Sequence, residues 1–102
     1  MGAAVFYQEG RGKSAKEAFQ AARDDAAWER GHGGYTGSLA EKSEFVMIAV
    51  PSGQDPEIFA SDLIHDGDGR IVDKWGPAGC IDLGESDPVG LRRYLFFGWA
   101  SC

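Results

Sequence analysis

The apolar positions of this chain fall into extended, helical and continuous patterns, and these predict its elements in order. Ala3 to Glu9, with Val5, Phe6 and Tyr7, reads as a first strand closed by the turn Gly10-Arg11-Gly12. Ser14 opens a helix as the start of a capping box: its hydroxyl can accept the amide of Glu17, and the Glu17 carboxylate can reach back to the Ser14 amide. Ala15, Ala18, Phe19, Ala22 and Ala26 recur at helical spacing, so the helix, running to about Arg30, carries a narrow alanine face anchored by Phe19. Lys16, Glu17, Gln20, Arg23, Asp24 and Glu29 form its charged opposite side. Gly31 is the expected stop. The turn Gly33-Gly34-Tyr35-Thr36-Gly37 follows, with three glycines free to take positive φ.

Ser38 to Lys42 fits a short strand or a loop. Glu44 to Val50 is a longer apolar run, which predicts a strand buried on both faces and ended by Pro51. Asp55 as N-cap and Pro56 in the first helical position open a second helix, in which Phe59 with Leu63 and Ala60 with Ile64 make apolar i, i+4 pairs. It stops at the polar turn Asp66-Gly67-Asp68-Gly69. Arg70 to Trp75 fits either a strand or a helical turn. Cys80 to Leu83 reads as a short strand, followed by a loop from Gly84 to Gly90. Arg92 to Ala100 reads as an aromatic, central last strand in which Gly98 marks a bulge or a close backbone approach. The order β-α-β-α-β-β predicts a single α+β domain over residues 1–102. Its sheet is mostly antiparallel, of about four strands, with two helices packed on it.

Composition supports a folded chain: 102 residues allow one core, 43% are hydrophobic and twelve are aromatic. No apolar run approaches the roughly 20 residues of a membrane span. The start Met1-Gly2-Ala3-Ala4-Val5-Phe6 lacks the basic and apolar regions of a signal peptide, so a cytoplasmic setting is expected. There the two cysteines, Cys80 and Cys102, read as a buried thiol and a free terminal one rather than as a disulfide framework. The net charge of −6 is uneven: residues 1–50 carry seven acids against six bases, residues 51–102 nine against four. Such a surface disfavours a direct grip on nucleic-acid phosphates and suits a basic protein partner, as well as plain solubility.

Motifs of catalysis and metal binding fail on their spacing. Gly12-Lys13-Ser14 lies between strand and helix, but a phosphate loop needs glycine at position 7, which is Tyr7. The calcium-loop start at Asp66 fails at Arg70, Ile71 and Pro77. His32, His65, Cys80 and Cys102 stand at no zinc spacing, and no sequence signal brings Cys80 to a histidine or two carboxylates across a cleft. No catalytic residue, metal or cofactor is therefore assigned.

Trp28, Tyr35 and Trp75 fall at a helix end or in glycine-rich connections, where they either seal the core edge or act as interface anchors. Gly12-Lys13-Ser14-Ala15, Gly31 to Lys42, Asp73 to Cys80 and Tyr94 to Ala100 together resemble a family of small phage and prophage proteins. The likeness spans most of the chain and carries no assigned activity, so it transfers no functional residue. More loosely, the short acidic chain is similar to phage anti-defence proteins of the anti-CRISPR type. The resemblance implies a non-enzymatic, acidic inhibitor acting in a bacterial host cytoplasm. It would bind the basic surface of a host protein or nucleoprotein complex, without direct nucleic-acid or membrane contact, and a homodimer would suit its two-sided apolar strands. The candidate binding residues are Asp24, Asp25, Trp28, Glu29, His32, Tyr35, Asp66, Asp68, Asp73 and Trp75. The alternatives are a ligand-binding protein or small enzyme using the His32 to Gly37 turn, and a phage assembly protein.

Overall fold

A computed structural model describes residues 2–30, 37–86 and 90–101. His32 and Tyr35, with Gly31 and the rest of the turn up to Thr36, lie outside the described residues, as does Cys102.

The protein is α+β. Strands β1 (Ala3–Gly12), β2 (Phe45–Met47), β3 (Ala78–Ser86) and β4 (Arg92–Ser101) form one mixed sheet in the order β1-β4-β3-β2. β4 is central and pairs antiparallel with both β1 and β3, whereas β2 pairs parallel with β3. The parallel pair follows from connectivity, because helix α2 (Pro56–Asp66) carries the chain back before β3 begins. The link through helix α1 (Ala15–Arg30) crosses from one edge of the sheet to the other, and the link through α2 steps back by one strand. Right-handed connections travelling in opposite directions place their helices on opposite faces, and the two cores lie accordingly. α1 covers Phe6, Cys80, Tyr94 and Phe96; α2 covers Ile48, Ile81, Leu95 and Phe97.

α1 forms where its cap predicts, the Glu17 amide donating to Ser14 Oγ at 3.2 Å. Its alanine face is buried at Ala18, Ala22 and Ala26. Phe19 packs against Phe45 and Phe96 with ring centroids 4.9 and 5.4 Å away. Gly10 and Gly12 do not close the strand as a turn; they are buried strand residues beneath this helix. A Cβ on Gly10 would stand 2.6 Å from the Ala18 carbonyl oxygen, and one on Gly12 2.5 Å from the Ala18 nitrogen. Small residues on both elements thus let helix and strand backbones nearly touch.

Other boundaries shift for physical reasons. Ser38 to Lys42 is a 3₁₀ turn over Leu39–Glu41, capped by the Ser38 hydroxyl. The run at 44–50 yields only the short edge strand β2, half-buried at Phe45 and Val46 and exposed at Met47, because among the described residues no strand lies beyond it. Arg70 to Trp75 forms turns. The β1–β4 register runs unbroken through Gly98, where Phe6 lies opposite; the irregularity is instead in β3, between Asp82 and Ser86. α2 is capped by Asp55, whose carboxylate accepts from the Glu57 and Ile58 amides, and it ends at Gly67 in the left-handed conformation.

Candidate functional site

β1, β2 and β3 all start at the same end of the sheet, where β4 finishes. Both helices return to that end. α1 runs antiparallel to β1, since Gly12 meets Glu17 and Ala18 while Gly10 meets Ala18 and Ala22. α2 starts beside Leu83 and Arg93 and leads back towards the start of β3. This topology collects Trp28 and Glu29 from the last turn of α1, Asp66 from the end of α2, and Asp68, Asp73 and Trp75 from the connection to β3. Asp24 and Asp25 lie further back along α1, exposed on its solvent side. Sequence reasoning picked these residues for exposure and charge, without knowing that all but Asp24 and Asp25 share one end.

Trp28 is 85% and Trp75 58% exposed, and Val72 beside Trp75 is exposed as well. The Trp75 loop is held from below by Lys42, which is 1% exposed. Its ammonium donates to the carbonyls of Asp73 at 3.3 Å, Lys74 at 3.1 Å and Gly76 at 2.9 Å. Burial lowers the Lys42 pKa from the ordinary lysine value, and the nearby Asp73 carboxylate opposes that shift. Within the loop, the Trp75 amide donates to Asp73 Oδ1 at 2.8 Å and the Gly76 amide to the Asp73 carbonyl at 2.9 Å. Lys74 donates to the Gly2 carbonyl at 3.3 Å, tying the loop to the head of β1, and its ammonium sits 5.4 Å from the Trp75 ring centroid.

Asp68 plays a different part from the other acids. Its carboxylate is gripped by the Arg70 guanidinium through two 2.9 Å hydrogen bonds and accepts the Arg70 amide as well. That grip holds its pKa down at about 2. Asp68 therefore shapes the turn, while Glu29, Asp66 and Asp73 leave the end of the molecule acidic and Asp24 and Asp25 extend that charge back along α1. Lys42 escaped sequence reasoning altogether, since nothing in its neighbourhood distinguishes it from a solvated lysine.

Elsewhere, a groove of about 400 Å³ runs between α2 and the open half of the sheet, lined by Tyr7, Glu57, Ser61 and Leu95. A neighbouring cavity of about 350 Å³ holds the Glu9–Arg93 ion pair. The Cys80 thiol is buried in the first core, and burial, helped by Asp82, pushes its pKa up to about 12. It is a packing group rather than a nucleophile. Among the described residues, no three His, Cys, Asp or Glu side chains converge to hold a metal ion, and no helix is long and apolar enough to cross a membrane. Comparison with protein-family models, curated proteins and solved structures finds no match to this chain.

Proposed function

We propose that this protein is a binding module that docks a basic protein surface with the end of the molecule bearing Trp28 and Trp75. The observation that carries the reading is Trp75, a large apolar side chain held in water on a loop pinned by a buried ammonium. Leaving the indole more than half exposed forgoes part of the roughly 1.5–3 kcal/mol that full burial of a large apolar side chain is worth, and fixing its loop in advance lowers the ordering cost of binding. Trp is also the residue type most enriched among interface anchors. The acids around it supply a field that steers a basic partner.

The likeness to phage and prophage proteins adds a setting: an inhibitor, in a bacterial host cytoplasm, that covers a basic surface of a defence complex in the anti-CRISPR manner. Sequence motifs, small size and acidity support that part of the reading. The test is affinity capture from host lysate at low and high salt, with the wild-type chain and with an Asp24→Asn, Asp25→Asn, Glu29→Gln variant. Capture of one defined partner that is lost in high salt and reduced in the variant supports the reading. Capture indifferent to both refutes the electrostatic half of it.

A further inference from the structure

The side of α1 turned towards β2 carries a second site unrelated to the tryptophan end. Lys16, Phe19, Gln20 and Arg23 stand at i, i+3, i+4 and i+7 on that side, facing Ser43 and Phe45 across a cavity of about 290 Å³. This is close to the lower size limit of ligand pockets. Its floor is the pair Phe19 and Phe45, tilted by 50° and backed by Phe96. β2 is the sheet edge, so among the described residues no further strand covers this floor.

The charges above the floor are unusual for this chain. Arg70, Arg92 and Arg93 each hold a carboxylate, of Asp68, Asp82 and Glu9 respectively. Arg23 pairs with no carboxylate among the described residues: its guanidinium lies 5.7 Å from the Phe19 ring centroid, and its buried Nε, like that of Arg93, has no acceptor there. Among the described residues, a half-buried guanidinium is thus left over an aromatic floor without a carboxylate partner. Lys16 lies two turns earlier, roughly 10 Å along the helix axis. Glu44 stands on the rim and opposes an anion.

We infer that this cavity binds a small aromatic carboxylate, its ring on Phe19 and Phe45 and its carboxylate on the Arg23 guanidinium. A planar fork of donors suits a carboxylate, and a flat apolar body suits the tilted rings. Lys16 adds a favourable field from the other end.

The test is a titration of the full chain with 2-naphthoate and with the neutral isostere 2-naphthamide, followed by amide NMR shifts. Naphthoate is expected to shift residues 16–23 and 43–45 and to bind at least about tenfold more tightly than the amide. Arg23→Met, which keeps an apolar stem over Phe19, is expected to abolish that preference. Glu44→Gln, an exposed change that leaves the core intact, is expected to tighten naphthoate binding by about two- to threefold. Equal affinity for acid and amide, shifts mapping elsewhere, or unchanged naphthoate affinity in both variants would overturn the proposal.

Discussion

Replacing Lys42 with Met tests how the Trp75 loop is held. Methionine keeps the apolar stem and most of the volume, so the substitution removes chiefly the ammonium and its bonds to the Asp73, Lys74 and Gly76 carbonyls. A buried acceptor left without a donor costs about 1–3 kcal/mol. The Asp73 carbonyl keeps the Gly76 amide, so two carbonyls carry most of the loss. Relief of the lysine's own desolvation, which lowers its pKa, returns part of it. The net expectation is a loss of about 2–4 kcal/mol from a total that is about 5–15 kcal/mol for a domain of this kind. This corresponds to a melting temperature lower by roughly 10–25 °C. Thermal unfolding followed by circular dichroism reads it, with Lys13→Met, at an exposed lysine away from the loop, as a control for loss of a surface charge. A Lys42→Met melting temperature within about 2 °C of wild type would mean that the ammonium does not hold the loop, and the case for a prearranged Trp75 would fall with it.

Three further outcomes follow from the packing. Gly10→Ala should cost about 1–3 kcal/mol in urea unfolding, although alanine is the better residue for an ordinary strand, because its Cβ must push α1 away. In a Cys102→Ser background, Cys80 should resist a thiol reagent until the chain unfolds, in keeping with a pKa raised to about 12; labelling at the rate of a free thiol would contradict its burial. Asp68 has a folded pKa of about 2, below its ordinary 3.8, so its pairing stabilises the fold above the ordinary value and is lost as pH falls through the folded one. The melting difference between wild type and Asp68→Asn should therefore be present at neutral pH, worth at most about 1 kcal/mol for a partly exposed pair, and shrink between pH 4 and 2.

Local signals carried most of the fold. The Ser14 cap, the alanine face, the Asp55-Pro56 start and the Gly67 stop each have causes within a few residues, and each was legible. Gly10 and Gly12 were not, because a glycine that ends a strand and one that lets a helix approach look alike until the helix is in place. Partner geometry likewise decided β2: its apolar run reads as central, but its position at the edge exposes Met47. For the site, residue types were legible and their arrangement was not. Trp28 and Trp75 stand far apart in sequence, and only the common return of both helices brings them to one end. Lys42 was invisible because its partners are backbone carbonyls more than thirty residues away, which leave no trace in side-chain pattern.

The most direct test of the central claim compares two exposed apolar side chains on the same protein. Trp75 is 58% exposed on the pinned loop; Ile58 is 62% exposed on α2, in its first turn at the opposite end of the molecule. With the captured partner purified, its affinity is measured for wild type, Trp75→Ala and Ile58→Ala. Trp75→Ala should weaken binding by at least about tenfold, as truncation of an anchor does, while Ile58→Ala leaves it unchanged. Undiminished binding by Trp75→Ala, or an equal loss in Ile58→Ala, would show that the partner does not dock at this end.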